Sequence, residues 1–336
     1  MIKDGILRTL RASGTFVSGQ SLCKALNVSR TAVWKAVSSL KDSGYEIESV
    51  QNRGYRLVSE PDELSAVQIK SFLNTRVMGQ ACICYDETDS TNLRIKQLAE
   101  EGAAHGTLAC TGVQTAGRGR RGRGWEAPPG EAIAMSLLLR PDIRPEHASM
   151  LTLVMGLAAA SACNEYLHQI CADGSREPAP ITLKWPNDLV WHGKKVSGIL
   201  TEMSAEMDYI HYIVIGIGIN VNTRAFPEEL PNAASLCQIT GVPLNRARLV
   251  ALCMEHFEKY YHTFLATEDL SMLRAEYESL LANKGREVCV LDPAGSYTGT
   301  ALGIDRLGEL LVQCADGHVE KVFSGEVSVR GIYGYV

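Results

Sequence analysis

Residues 114–125 read Gln-Thr-Ala-Gly-Arg-Gly-Arg-Arg-Gly-Arg-Gly-Trp, with glycines at 117, 119, 122 and 124 interleaved with arginines at 118, 120, 121 and 123. The run has no apolar period, and each glycine carries a large ordering cost, so neither a stable helix nor a stable strand is expected here. Such residues are suited to closing over an anion. Backbone N–H groups approach closely where side chains are absent, and the planar guanidinium fork gives bidentate hydrogen bonds to phosphate or carboxylate. A solvated basic loop or an RGG-type nucleic-acid tail has a similar composition, but such tails belong to long disordered segments. This run lies between two apolar strand patterns, at 108–113 and 132–139, which favours a mobile lid over a phosphate-bearing ligand.

Three further groups have the types needed at such a site. Asp89-Ser90-Thr91-Asn92 precedes a helical pattern over 93–101. Its hydroxyls and amide either cap that helix or present a polar ligand with a helix N-terminus. Lys184 lies in a mainly apolar strand pattern, 181–185, before Pro186-Asn187-Asp188, where it either reaches solvent or pairs with an anion. Gly216-Ile217-Gly218-Ile219-Asn220 lies inside a strand over 209–221. It is not a dinucleotide fingerprint, because no third glycine opens a helix. Glycines there mark a close approach by a ligand or another backbone, with Asn220 where that face would open.

The elements that position these groups alternate strand and helix. A strand over 81–85 precedes the Asp89 segment, and a long apolar helix over 147–169 follows the strand that receives the loop. A polar loop at 171–180 leads to the Lys184 strand, followed by a hairpin across His192-Gly193. Helices are expected at 246–266 and 270–283. Beyond Gly285, strands at 287–291, 297–304, 309–314, 318–323 and 326–329 suggest a small closed barrel.

The 336 residues carry a formal charge of −5, yet residues 1–60 hold nine Lys/Arg against five Asp/Glu, leaving the remainder at −9. A basic end on an acidic protein suggests that this end meets a polyanion. Helices are expected at 2–11, 18–26 and 30–43, the last capped by Ser29 with Val33, Val37 and Leu40 inward. Strands at 45–48 and 55–57 follow, with Arg53 near the tip of their turn. This is the layout of a winged helix-turn-helix, whose third helix enters a major groove and whose wing touches the backbone. Ser29, Arg30, Thr31, Lys35 and Arg53 are the candidate DNA-binding residues. A helix-turn-helix used only for protein contact has the same pattern. Residues 58–63 read as a linker.

The ten cysteines are scattered without a CxxC pair, which argues against zinc and for a reducing cytoplasm. The first residues, Met1-Ile2-Lys3-Asp4, do not read as a signal peptide. The most apolar stretch, 150–163, is short of the ~20 residues a membrane span needs and is expected to be a buried core helix.

With these pieces in order, the chain resembles the bifunctional biotin protein ligases that double as biotin operon repressors. The resemblance covers essentially the whole length. It rests on Gly117 to Trp125 and on Lys184-Trp185-Pro186-Asn187-Asp188-Leu189. Asp89 to Asn92, Ser197-Gly198-Ile199-Leu200, Gly216 to Asn220 and Gly325-Glu326-Val327-Ser328 add weaker support. It implies a multidomain α+β chain. A winged helix-turn-helix would occupy 1–60, an α/β biotin/lipoate ligase-type catalytic domain with a mixed sheet 67–283, and an SH3-like barrel 284–336.

The implied chemistry is attack of the biotin carboxylate on the α-phosphate of ATP, supplied with Mg²⁺, and transfer of biotin from the adenylate to a lysine of a biotin-accepting carboxylase domain. No enzyme nucleophile is needed, only positioning and charge neutralisation. By position, Ser90, Thr91, Asn92 and Gln114 would take the ureido ring, and Arg118, Gly119 and Arg120 the valeryl and phosphate portion. Lys184 would sit by the carboxylate and α-phosphate. Lys184, Arg118 and Arg120 are thus the implied catalytic residues. Arg118, Arg121, Arg123, Trp125 and Asn220 would serve ATP and the adenylate. Ile199, Ile217 and Ile219 are candidate apolar walls. Implied partners are the biotin carboxyl carrier protein, operator DNA and a second copy of the chain in a homodimer, with no membrane. A lipoate or octanoate ligase would share the central fold. A biotin-sensing regulator without catalysis would be expected to lack the lysine or the loop arginines.

Overall fold

The computed structural model describes residues 2–171, 178–292, 295–324, 328–331 and 335–336. Most of the polar loop at 171–180, the turn at Pro293-Ala294 and the Gly325-Glu326-Val327 part of the supporting motif therefore lie outside the described residues. The chain divides into two compact units, 1–74 with 245–251, and 75–244 with 252–336.

In the first unit, α1 (Ile2–Ser13), α2 (Gly19–Leu26) and α3 (Arg30–Asp42) precede a two-stranded antiparallel wing, β1 (Glu46–Val50) and β2 (Gly54–Ser59). Ser18 and Ser29 cap α2 and α3 by accepting from Ser21 N–H and Ala32 N–H. Ile6, Leu7, Leu10, Leu22, Val33, Val37 and Leu40 close one core, as their helical spacing requires. A fourth helix, α4 (Ala66–Phe72), also belongs to this unit, so the unit extends past the linker expected at 58–63. Its signal was weak because it buries a glutamine. Gln68 donates to Pro61 O at 2.7 Å and accepts from Glu63 N–H, so its polar head is satisfied.

The second unit is built on a seven-stranded mixed sheet in the order β3-β4-β5-β9-β8-β7-β6. Its strands are β3 (Cys82–Tyr85), β4 (Leu108–Thr111), β5 (Ala132–Leu139), β6 (Thr182–Lys184), β7 (Asp188–Trp191), β8 (Lys194–Ala205) and β9 (Ile210–Asn220). Only β3 and β4 pair in parallel. Around the sheet lie α5 (Thr91–Glu100), α6 (Met150–Ile170), α7 (Leu236–Thr240), the part of α8 (Arg246–Thr267) beyond residue 251, and α9 (Arg274–Leu280). At 26 residues, the helical stretch Pro145–Ile170 is long and apolar enough to cross a membrane, which corrects the shorter span read from composition. Within the fold 78% of its apolar window is buried, so its apolarity is that of a core helix.

The last strands, β10 (Glu287–Leu291), β11 (Tyr297–Ile304), β12 (Leu310–Gln313), β13 (Val319–Val322) and β14 (Ser328–Gly331), form an antiparallel sheet in the order β13-β12-β11-β10-β14. Val288, Val290, Ala301, Ile304, Leu310, Val312, Val322 and Val329 are buried in it.

Candidate active site

The Arg/Gly loop at 114–125 is more ordered than its composition suggests. Gly119 N–H donates to Arg123 O at 2.7 Å, Trp125 N–H donates to Gly117 O at 3.0 Å, and Arg118 pairs with Gly124 as an antiparallel bridge. A short 3-10 turn, Arg120–Gly122, forms the tip. Arg121 (φ 58°) and Gly122 (φ 70°) adopt left-handed conformations there, which explains a glycine at the second position. An added Cβ on Gly117 would stand 2.2 Å from Trp125 O, so only glycine lets the two arms of the loop approach. The result is a small hairpin without strand status.

That hairpin covers a cleft of ≈ 160 Å³. Ser90, Thr91, Asn92 and Gln114 line one end of it, Lys184, Asn187, Asp188 and Lys195 the other, and Arg118, Gly119, Arg120, Arg121, Arg123 and Trp125 form its cover. Ile199, Leu200, Ile217 and Ala134 supply apolar wall between the ends.

At the first end, Thr91 N–H and Oγ1–H both reach Gln114 Oε1, at 2.8 and 3.2 Å. Ser136 Oγ on β5 lies 2.7 Å from Thr91 Oγ1 and 2.6 Å from Asn92 Oδ1. Asn92 Nδ2 donates to Glu202 Oε2 at 2.7 Å, and Lys96 Nζ holds the other Glu202 oxygen at 2.5 Å. Burial alone would raise the Glu202 carboxyl, but the hydrogen bonds from Lys96 and Asn92 and the charge of Arg118 hold it below the ordinary range. Ser90 occupies the N-cap position of α5 without a side-chain cap bond, which separates the two readings its type allowed. Its buried hydroxyl does not serve the helix.

The strand glycines do admit a close approach, but by side chains rather than by the ligand or backbone expected. An added Cβ on Gly216 would stand 2.1 Å from Asn92 Oδ1, and one on Gly218 would stand 2.3 Å from the Trp125 indole. The close approach comes from side chains of the same chain. Trp125 lies over Gly218, with Lys195 Nζ 5.9 Å from its ring centroid.

At the second end Lys184 is only 6% exposed. Its Nζ stands 3.8 Å from Asp188 Oδ2 and 3.9 Å from the centroid of the Tyr335 ring. Lys195 Nζ approaches Asp188 Oδ1 at 2.7 Å, close enough for an ion pair but not aligned as a hydrogen bond. The Tyr335 hydroxyl donates to Asp188 Oδ2. Burial pushes the Lys184 ammonium down to about 8 against the pull of Asp188, and Lys195, Arg330 and Arg123 push it further. Arg120 bridges Asn187 Oδ1 at 3.0 Å and Ser324 O at 2.6 Å, tying the loop to the β6–β7 turn and to the C-terminal region. One carboxylate thus faces several cations, an arrangement that favours an added anion.

Sequence reasoning did not find Asp188, Lys195, Ser136, Glu202 or Tyr335 as site residues. Asp188 had a local signal, standing four residues after Lys184 across a tight turn. Asn220, expected on the nucleotide side, does not line this cleft. It is buried and donates through Nδ2 to Ala234 O at 3.1 Å, holding the segment that follows β9. Ile219 is likewise buried away from the cleft lining. Among the described residues no group of three or more His, Cys, Asp or Glu is placed to hold a metal.

In the first unit, Arg30, Thr31 and Lys35 lie exposed on α3 with Ser29 at its cap. Arg30 donates to Gln20 Oε1 at 3.2 Å. Arg53 lies on the wing, its guanidinium 4.3 Å from the Phe16 ring centroid. Trp34, on the same helix, is 61% exposed, an unusual position for an indole in a folded surface.

Residues 84–220 match the model of the biotin/lipoate A/B protein ligase family, residues 4–56 that of an HTH domain, and residues 285–330 that of the biotin protein ligase C terminal domain. The chain is 39% identical over 330 residues to the bifunctional ligase/repressor BirA of Bacillus subtilis, covering 97% of this chain and 98% of that one. It is 32% identical to the BirA of Escherichia coli, with 96% of each covered. A solved structure of the biotin protein ligase from Aquifex aeolicus in complex with biotin and ATP superposes with a TM-score of 0.62 at 32% identity, covering 75% of this chain and 99% of that one. Taken with a cationic cleft under an Arg/Gly hairpin, these likenesses establish that the chain belongs to the family of bifunctional biotin ligase/repressors.

Proposed function

We propose that the cleft makes biotinyl-5′-AMP from biotin and ATP and passes biotin to a lysine of a biotin-accepting carboxylase domain, the biotin carboxyl carrier protein. The observation that carries this reading is the meeting, in one cleft, of a satisfied polar network at one end and a surplus of cations at the other. A neutral ureido ring suits the Ser90, Thr91, Asn92 and Gln114 end, because fixed donors and acceptors recognise it without charge. The carboxylate and α-phosphate suit the Lys184 end. There Lys184, Arg118, Arg120 and the Gly119 backbone neutralise charge as the biotin carboxylate attacks phosphorus and pyrophosphate leaves. Mg²⁺ brought with ATP would add positive charge at the phosphates beside Lys184 and the loop arginines. Arg121 and Arg123 take the nucleotide's phosphates and Trp125 covers adenine. The indole lies over Gly218.

In this reading residues 1–60 bind operator DNA, with Arg30, Thr31 and Lys35 in the major groove, Ser29 at the helix entry and Arg53 on the backbone. Residues 67–283 catalyse, and 284–336 form a small SH3-like barrel, supported by five short antiparallel strands around a valine-rich interior. The protein acts in the cytoplasm, and loading with biotinyl-5′-AMP favours a homodimer that represses biotin genes.

Biotin-dependent exchange of pyrophosphate into ATP tests the enzyme. Exchange with biotin supports the reading, and exchange with lipoate or octanoate alone would sink it. For the regulator, biotin plus ATP is expected to tighten operator binding in a gel shift and to raise the sedimentation coefficient. Binding indifferent to both ligands would remove the corepressor role.

A further inference from the structure

Tyr335 is separated from Asp188 by 147 residues, yet it lies at the cationic end of the cleft. Its side chain makes two contacts of different kinds there. The hydroxyl donates to Asp188 Oδ2, and the ring faces Lys184 Nζ, 3.9 Å from its centroid. The segment carrying it is anchored against β14, where an added Cβ on Gly331 would meet Val336 O at 2.2 Å. The other face of Tyr335 lines a second groove with His192, Lys194 and Arg286, so the residue forms a wall between groove and cleft.

A buried ammonium four residues from a carboxylate normally closes on it as a short, charge-assisted hydrogen bond. Here the gap from Lys184 Nζ to Asp188 Oδ2 is 3.8 Å, and Tyr335 holds that oxygen. The second Asp188 oxygen is taken by Lys195 at 2.7 Å. Resting on the proposed ligase reading, we infer that Tyr335 is a positioning residue: by occupying Asp188 Oδ2 and offering its ring to Lys184, it keeps that ammonium available to the phosphate of the incoming nucleotide. The ring supplies an electron-rich face that holds the cation without consuming its hydrogen-bonding capacity. A phosphate oxygen then competes with a ring face, a weaker rival than a full carboxylate.

The charged and titratable groups around Lys184 come from every neighbouring element: Asp188 on β7, Lys195 on β8, Arg123 in the loop, Arg330 on β14 and Tyr335 beyond it. Without the Tyr335 hydroxyl, Asp188 would draw Lys184 closer and keep it charged to higher pH. The same contact would hold it away from ATP.

The test compares wild type with Tyr335→Phe and Tyr335→Leu across pH 6 to 10, roughly the span over which a perturbed lysine titrates. Calorimetric titration with magnesium-ATP and biotin-dependent pyrophosphate exchange are both read. Tyr335→Phe is expected to weaken ATP about tenfold, to leave the KM for biotin unchanged, and to move the alkaline fall in ATP affinity to higher pH. Tyr335→Leu, which also removes the ring, is expected to weaken ATP further. Wild-type ATP affinity and an unmoved pH profile in Tyr335→Phe would overturn the inference. Equal losses for biotin and ATP with no pH shift would also overturn it, as the mark of a structural role. Absence of biotin-dependent exchange in wild type would instead defeat the ligase reading, while the ATP titrations still decide the role of Tyr335.

Discussion

The two ends of the cleft are built on opposite principles. At the Ser90 end Thr91 is bonded to Gln114, Ser136 joins Thr91 to Asn92, and Asn92 donates to Glu202, whose charge is balanced by Lys96. At the Lys184 end partners are scarce. Asp188 is shared among Lys184, Lys195 and Tyr335, and the charges of Arg123 and Arg330 also act on Lys184. A saturated neutral network selects a ligand by shape and hydrogen-bond pattern, because a misfit leaves buried groups unpaired. An unsaturated cationic cluster selects charge, and its strength grows as water is excluded. On the proposed reading, one end would recognise and the other activate.

That contrast is open to attack from both sides. The largest effect is expected at the cationic end. Lys184→Ala should cut pyrophosphate exchange about 10²- to 10³-fold, as removal of a preorganised charge stabiliser does, while thermal stability changes little. Because burial pushes the Lys184 ammonium down to about 8, wild-type exchange should also fall as pH rises through that value and the ammonium is lost. An alkaline profile that stays flat would contradict its charged role. At the neutral end, Gly216→Ala places a methyl 2.1 Å from Asn92 Oδ1 and should displace that amide. The KM for biotin is expected to rise roughly 10- to 100-fold with the KM for ATP unchanged, since lost hydrogen bonds at one end do not alter charge at the other. Equal rises for both substrates would erase the division between the ends. The smallest effect is expected outside both. Asn220→Ala removes a buried hydrogen bond to Ala234 O and should cost about 1–3 kcal/mol of stability by thermal melting. A selective loss of ATP binding in that variant would return Asn220 to the nucleotide side.

Much of this was legible from the sequence because it was local. Capping serines, the Val33/Val37/Leu40 stripe and the run of strands after Gly285 each depend on residues a few positions apart, and they appear where expected. The Arg/Gly segment suggested an anion site by composition alone, and its residues line the cleft. Its hairpin geometry was hidden, since backbone bonds from Gly119 to Arg123 and from Trp125 to Gly117 leave no hydrophobic period. Asp188 and Tyr335 illustrate the other limit. Their pairing spans 147 residues, and a lone tyrosine near a turn carries no pattern that specifies its partner. Helix α4 was missed because a buried, satisfied glutamine imitates a linker in composition. The Asn220 bond to Ala234 O was hidden for a related reason, because strand geometry fixes which face opens only when the neighbouring segment is known.

The most direct test of the account is chemical. The protein is mixed with biotin and magnesium-ATP without any acceptor, separated from free ligand, denatured, and its bound small molecules identified by mass spectrometry. The account predicts biotinyl-5′-AMP released in an amount close to that of the protein. Recovery of unreacted biotin with no adenylate, from protein that still binds both substrates, would contradict it.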